Sequence, residues 1–364
     1  MYPVMNSASK VNGILFAGVL AGMFVYSLPP VFSFAKSQSD AWNLFVDGKL
    51  LRKFEQVYDK RFFLREPSVE LWANAQYRLF DEGTKGVVLG KDGWLFTNQE
   101  YRVPNNLQAN LEGQLAQIAE VEQKLKAHNK RLILLPLPMK VDVYAAHAER
   151  AVDPRAISLY DRFVAGLQAK QIEVTPLRSA FLSNLAGPEL FLKSDTHWSP
   201  EGARLSANEL ARQRPDLVGD ERYVSTKVAE KSVKGDLMNY IQFNHAQLAP
   251  QFGPSQIAVY ETLKAEQSAD ALFADEQQSL VLVGTSYSKI DDWNFTGFLK
   301  EALNRDLLSV AVEARGPFEA MSQFLASDDL NNPQIDTVVW EFPLRTLLAH
   351  RLGSLSRPGQ TQHF

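Results

Sequence analysis

The sequence predicts an α/β protein: a three-layer αβα sandwich around a mostly parallel sheet, preceded by one transmembrane helix. Three observations carry this. Short, continuously apolar runs recur along the chain, as in strands buried on both faces. Segments with apolar residues every three or four positions alternate with those runs, the pattern of parallel strands crossed over by helices. Val11 to Ala35 is a stretch of 25 residues without a charge, preceded by Lys10 and the terminal amine. About 20 apolar residues are enough to cross a bilayer as a helix.

Taken in order, the apolar segment comes first. Its centre is Ile14–Leu28, and Pro29-Pro30 are expected to break the regular helix. Positive charge ahead of the span puts the N-terminus in the cytoplasm and the rest outside. Phe32–Ala35 offers small residues near a signal-peptidase cut, so a cleaved signal peptide is the other reading. The length of the apolar stretch favours an uncleaved signal-anchor. Either way the body lies outside the cytoplasm, with a bacterial periplasm as the expected place.

Residues 36–80 read as amphipathic and helical, with Leu44, Leu51, Phe54, Val57, Tyr58 and Phe62 at helical spacing. Val87 to Phe96 reads as a hairpin turning at Lys91-Asp92-Gly93. Asn105 or Asn106 then caps a helix carrying Leu107, Leu111, Leu115, Ile118 and Leu125 on one face. Arg131–Pro136 is a buried-type strand, a helix covers about 154–170, and Ile172–Leu177 is the next strand. Ser199 as N-cap and Pro200 at N1 start a helix through Arg212. Ser279–Val283, Leu307–Val312 and Thr337–Phe342 are three further buried strands. The stretch 215–275 breaks the rhythm and reads as an insertion of loops and short elements. The expected division is an anchor over 1–35, a helical stalk and hairpin over 36–100, one large α/β domain over 101–350, and a tail over 351–364.

Composition narrows the chemistry. Of 364 residues, 45% are apolar and 22% charged, which is ordinary for a globular chain and excludes disorder, collagen and a disulfide scaffold. The balance of 38 basic against 42 acidic residues gives −4, with no basic excess pointing to nucleic acid. There is no cysteine, which excludes disulfides, zinc-thiolate sites, iron–sulfur clusters and a thiol nucleophile. No metal constellation stands out and no cofactor is expected.

Two segments carry candidate chemistry. Asp195 and His197 lie two apart in Lys193–Gly202, just before a helix. Ser286 follows the C-terminal end of a buried strand in Val281–Ser288, where ligands of open α/β sheets gather. A serine hydroxyl needs an adjacent imidazole to take its proton, and the imidazole needs a carboxylate to fix its tautomer. Asp195, His197 and Ser286 supply those groups. Each segment also has a plain reading, as a turn serine and as a loop aspartate making an Asx-turn. His128, His147, His245, His350 and His363 read as solvated or structural.

At Asp195-Thr196-His197-Trp198-Ser199-Pro200-Glu201-Gly202 and Gly284-Thr285-Ser286-Tyr287-Ser288 the chain resembles the AlgJ/AlgX type of polysaccharide O-acetyltransferase, an SGNH-hydrolase-like family. Val88–Phe96 and Val339–Pro343 share the resemblance, which runs from about residue 60 to 347. It implies a circularly permuted SGNH domain, since here the Asp/His pair precedes the serine. It implies Ser286 as nucleophile, His197 as base and Asp195 as its orienting acid, with an acetyl-serine intermediate. Gly316, after the second strand, is the implied oxyanion donor beside the Ser286 N–H, although Gly-Pro also marks a plain turn. The family's third donor block is replaced by Trp340–Arg345, so that donor is unassigned: Arg345 reads first as a solvated or salt-bridged arginine, and otherwise substitutes for the donor or binds an anionic sugar. Tyr287, Trp198, Trp293 and Trp340 are expected near the cleft, where aromatic faces suit sugar rings, or else in the core. Lys140 and Tyr144 end another strand and either line the same groove or sit at the surface.

The resemblance implies an O-acetyltransferase of an exported polysaccharide, alginate-like first and cellulose second. It implies a periplasmic body on the inner membrane of a Gram-negative bacterium, and a membrane-bound acyltransferase partner supplying acetyl groups. A polysaccharide acetylesterase with the same triad is the next reading, and a non-catalytic export scaffold the third. Only exclusion of water from the acyl-enzyme separates the first two.

Overall fold

The computed structural model describes residues 3–37, 40–62, 65–80, 86–265, 278–313 and 315–349. The chain divides into two compact units, Met1–Ala75 and Gln76–Phe364, each taken by itself.

In the first unit, α1 (Pro3–Ser37) is one continuous helix, and Lys10–Ser37 is long and apolar enough to cross a membrane. Pro29 and Pro30 lie inside it, against the expected break. Each proline removes one N–H, but its ring also fixes φ near the helical value, and the helix carries on. The amphipathic stretch that follows resolves into α2 (Ala41–Val46), α3 (Leu50–Arg61) and α4 (Arg65–Phe80), the last running on into the second unit. Phe54 of α3 meets Phe34 of α1 edge-on at 5.4 Å between ring centres, and Tyr58 Oη lies 2.9 Å from Ser27 Oγ. Leu51, counted on the apolar face, is exposed.

The second unit opens with the hairpin of β1 (Val87–Leu89) and β2 (Leu95–Thr97), antiparallel with Leu89 opposite Leu95. Asp92 at φ 55° and Gly93 at φ 81° make the turn the sequence calls for. In α5 (Leu107–Ala127) the expected stripe of Leu107, Leu111, Leu115, Ile118 and Leu125 is buried. β3 (Arg131–Leu137) is followed by the short α6 (Lys140–Val143), then α7 (Pro154–Ile157), α8 (Leu159–Ala169), β4 (Glu173–Val174) and α9 (Arg178–Ser183). α10 (Pro200–Gln213) begins at the expected cap, where Ser199 Oγ accepts from Gly202 N at 3.1 Å.

Residues 215–275 correct the expectation of short elements. β5 (Tyr223–Val233) and β6 (Ser255–Lys264) form a long antiparallel ribbon, with α11 (His245–Leu248) between them. Most side chains of β5 face solvent, so charged residues interrupt the apolar pattern that marks a buried strand.

The sheet then completes with β7 (Leu280–Gly284), α12 (Ser286–Lys289), α13 (Phe295–Leu303), β8 (Leu308–Ala311), α14 (Pro317–Ala326) and β9 (Thr337–Pro343). Its order is β4-β3-β9-β7-β8, and every pairing is parallel. β4 is shorter than the Ile172–Leu177 expected. It sits at the sheet edge, Thr175 N makes a last bond to Leu134 O at 2.8 Å, and Pro176 has no N–H to continue. Side chains alternate across a strand. Trp340 and Phe342 therefore share one face, where they meet Phe318 of α14 and Phe163 of α8. Glu341 points to the other face and reaches the Thr285–Ser288 turn. The late strand β9 inserts between β3 and β7, so the C-terminal ends of β7 and β9 are neighbours. The tail expected over 351–364 lies outside the described residues.

Candidate active site

The Asp195–His197 loop is held from three sides. Phe191 and Trp198 form an isolated antiparallel bridge, and Leu192 N donates to His197 O at 3.2 Å. The hairpin joins it through Leu95 N to Lys193 O at 2.9 Å. Beneath it lies Lys140, 1% exposed, whose Nζ donates to the carbonyls of Leu95, Leu192, Lys193 and Asp195 at 2.6, 2.6, 2.9 and 2.8 Å. Burial pushes the Lys140 pKa down, to about 7, against the pull of Glu100 and Asp195.

On this loop Asp195 Oδ1 lies 2.6 Å from His197 Nδ1, and His197 Nε2 lies 2.7 Å from Ser286 Oγ. The far oxygen, Asp195 Oδ2, accepts from Asp236 N at 2.8 Å. Burial pushes the Asp195 carboxyl up, but the hydrogen bond and charge of His197 and the N–H groups of His197 and Asp236 outweigh it. The pKa settles at about 2. An ionised acid at Nδ1 leaves Nε2 as the basic nitrogen facing the serine. Tyr287 and Trp293 pack on the imidazole, at 4.7 and 5.9 Å between ring centres.

Ser286 sits on the turn after β7. Thr285 Oγ1 accepts from Tyr287 N at 3.4 Å. The fully buried Glu341 of β9 accepts from Thr285 N at 2.7 Å, from Thr285 Oγ1 at 3.0 and 3.1 Å, and from Ser288 Oγ at 3.0 Å. Burial pushes the Glu341 carboxyl up, and those donors pull it back. Gly284 is required here: a Cβ would stand 2.3 Å from Ser288 Oγ and 2.9 Å from Glu341 Oε2. A side chain at 284 would separate the Ser286 turn from the carboxylate that holds it.

The remaining expected residues divide. Gly316 and Arg345 line one cleft of about 350 Å³ with Ser286, together with Gln99, Gln114 and Arg315. Gly316 has φ 77°, a backbone angle that favours glycine, and it precedes α14. Neither its N–H nor that of Ser286 bonds to another described residue. Tyr287 is buried behind the histidine, its hydroxyl donating to Thr196 O at 2.7 Å. Trp198, Trp293 and Trp340 are 0–2% exposed, which corrects their reading as sugar platforms: no face is open to a polymer. Trp198 Nε1 donates to Tyr287 O, and Trp340 Nε1 to Pro317 O. Lys140 and Tyr144 are likewise interior. Tyr144 Oη accepts from Leu190 N at 2.8 Å, and the Lys140 ammonium is used up on carbonyls, so neither lines the groove.

Sequence reasoning missed Asp236 and Glu341. Asp236 lies in the stretch taken as an insertion, and only the fold brings it to Thr196, whose N and Oγ1 donate to it at 2.8 and 2.5 Å. Glu341 left a signal, a carboxylate in an otherwise apolar strand. Asp195, His197 and Asp236 place ligand-type atoms within 4.8 Å of one another. Each carboxylate oxygen is already engaged by an N–H or O–H, so the group is satisfied as a hydrogen-bonded array.

The arrangement of Asp195, His197 and Ser286 could support acyl transfer, and the chain is similar to known acetyltransferases. Residues 87–344 match the family described as the SGNH hydrolase-like domain of the acetyltransferase AlgX. A protein of Pseudomonas fluorescens named probable alginate O-acetylase AlgJ is 37% identical over 345 residues, covering 92% of this chain and 86% of its own. The protein of the same name from Pseudomonas aeruginosa is 36% identical over 350 residues, covering 91% and 88%. Among solved structures, the O-acetyltransferase domain of Pseudomonas putida AlgJ superposes with a TM-score of 0.65 at 30% identity. The match covers 72% of this chain and 92% of that one.

Proposed function

The chain belongs to the SGNH hydrolase-like acetyltransferase family of AlgX, and on that premise we propose that it O-acetylates an exported polysaccharide through an acetyl-Ser286 intermediate. The observation that carries the reading is the continuous line Asp195 Oδ1, His197 Nδ1, His197 Nε2, Ser286 Oγ, at 2.6 and 2.7 Å.

The steps follow from that line. His197 Nε2 takes the Ser286 proton as Oγ adds to the acetyl carbonyl. The N–H groups of Ser286 and Gly316, which bond to no other described residue, receive the negative charge that develops on the carbonyl oxygen. The tetrahedral adduct collapses, and His197 returns the proton to the leaving group of the donor. A sugar hydroxyl then gives its proton to His197 and attacks the acetyl-serine. Ser286 leaves and takes the proton back. Throughout, Asp195 keeps the imidazole in register and balances the imidazolium. No step calls for a metal or cofactor.

The polymer is alginate in this reading, after the names of the relatives; acetylated cellulose is the alternative acceptor. In this reading α1 is the membrane anchor and the catalytic unit works on the periplasmic side of the inner membrane, which the length and apolar composition of Lys10–Ser37 support. There a membrane-bound acyltransferase would deliver acetyl groups. The test uses the full chain in detergent, a chromogenic acetyl ester, and oligosaccharide acceptors. Acetyl should appear on the sugar and vanish in Ser286→Ala. Acetyl found only as free acetate would make the protein an esterase.

A further inference from the structure

The hairpin of β1 and β2 takes no part in the steps above, yet it closes a cage around a buried cation. Four backbone carbonyls converge on Lys140 Nζ at 2.6–2.9 Å. Leu95 O comes from the hairpin, and Leu192 O, Lys193 O and Asp195 O come from the loop that carries Asp195 and His197. The rings of Trp94 and Phe96, on either side of Leu95, face the same ammonium at 5.2 and 5.5 Å from their centres. Carbonyl oxygens and aromatic faces are the groups that attract an ammonium. Burial works against the charge, and Glu100, Asp195, Asp236 and Glu189 work for it.

The cage is fixed at its other end too. Glu100, 2% exposed, accepts from Lys140 N at 3.2 Å and from Val141 N at 2.9 Å, which sets the backbone on which the ammonium stands. Trp94 stacks on Tyr144 at 4.0 Å between ring centres, and the Tyr144 hydroxyl accepts from Leu190 N. The cage acts most directly on Asp195. That residue puts its carbonyl on Lys140 at 2.8 Å and its carboxylate on His197 at 2.6 Å. A few covalent bonds join the two groups, so a shift at the carbonyl reaches the imidazole almost undiminished. A neutral side chain of equal volume would keep the packing. It would also leave carbonyls of the hairpin and the loop facing one another with no donor between them. Their dipoles then repel, and the two segments part.

We propose that Lys140 is a positioning residue for acyl transfer: its ammonium, caged by the hairpin, sets where Asp195 and His197 stand relative to Ser286. The hairpin is then part of the catalytic apparatus and not only a cover on the domain. This rests on the reading of Ser286 as the acyl-carrying residue.

The test separates position from stability. Full-length Lys140→Met and Lys140→Ala proteins in detergent are compared with the parent by urea unfolding, by kcat and KM for a chromogenic acetyl ester, and by amide hydrogen exchange. Folded Lys140→Met should lose kcat about 10- to 100-fold with KM changed less than about threefold, the cost of a misplacement of about 1 Å or less. Exchange should quicken at the N–H groups of Leu192 and His197. Propylammonium, which supplies the missing N–H donors and charge, should restore part of kcat in Lys140→Ala; tetramethylammonium, which has no N–H, should not. Where Lys140→Met does not fold, Lys140→Ala refolded in propylammonium carries the test, and its activity should fall when the amine is dialysed away. A folded variant with kcat within about twofold of the parent, in the absence of amine, overturns the proposal. So does an amine that raises the urea midpoint and returns no kcat, which would make Lys140 merely structural. A parent that turns over no ester, or a Ser286→Ala protein that still does, sinks the Ser286 reading separately. The exchange then decides the cage: unchanged rates at Leu192 and His197 in the variants overturn it.

Discussion

Glu341 gives the sharpest perturbation of the Ser286 turn. Its carboxylate accepts from Thr285 N, Thr285 Oγ1 and Ser288 Oγ, all at 2.7–3.1 Å in a fully buried setting. In Glu341→Ala the two hydroxyls can rotate toward other acceptors, but the Thr285 N–H cannot. An unsatisfied buried N–H costs about 1–3 kcal/mol, and the lost carboxylate bonds and vacated volume add to it, for about 3 kcal/mol in all. The functional loss should be larger than the stability loss suggests. Thr285 is bonded to Ser286, and the bond to His197 is only 2.7 Å long, so a shift of the turn breaks the proton line. A misplacement of about 1 Å costs about 100-fold in rate. Glu341→Gln keeps the shape and one oxygen and should lose less than about tenfold. The assay pairs urea unfolding with kcat for a chromogenic acetyl ester. A folded Glu341→Ala protein with kcat within about twofold of the parent would refute the reasoning.

Other outcomes follow from the same geometry. Ser286→Ala should lower ester turnover about 10³-fold or more, with no acetyl-protein seen by intact mass. Asp195 has a folded pKa of about 2 against about 3.9 unfolded, so its contribution is present above pH 4 and is lost as pH falls toward 2. That contribution is about 2–3 kcal/mol, and Asp195→Asn should flatten the acid limb of a stability–pH curve; an unchanged limb would refute it. Lys140→Met takes the ammonium from the buried carbonyls of Leu95, Leu192 and Asp195 and from the half-buried one of Lys193, and should cost about 1–3 kcal/mol, read as a fall in the urea midpoint. A smaller loss than about 1 kcal/mol would mean those carbonyls find other donors.

Much of the fold was legible along the chain because its cues are local. Strands buried on both faces are apolar throughout, so β3, β7 and β9 stood out, and Ser199-Pro200 marked the start of α10. The ribbon of β5 and β6 was hidden because its side chains are mostly exposed and its alternation is broken by charge. The continuity of α1 through Pro29-Pro30 was misjudged: an interior proline ordinarily kinks or breaks a helix, and here the helix carries on.

The site divides in the same way. By itself the sequence bounded the chemistry available: with no cysteine a thiol nucleophile is excluded, and Asp195, His197 and Ser286 were the candidate groups it offered. It also showed a membrane-length apolar span at the N-terminus. Only the tertiary structure decided which groups are brought together and which are packed away. Insertion of β9 between β3 and β7 brings Glu341 under Thr285, and puts Arg345 in the cleft that Ser286 also lines. It withdraws Lys140 and three tryptophans into the interior. The physical reason is that burial and hydrogen-bond partnership belong to pairs of residues far apart in the chain. A residue type states what a side chain can donate, accept or ionise; the neighbours that the sheet order supplies settle which of these it does.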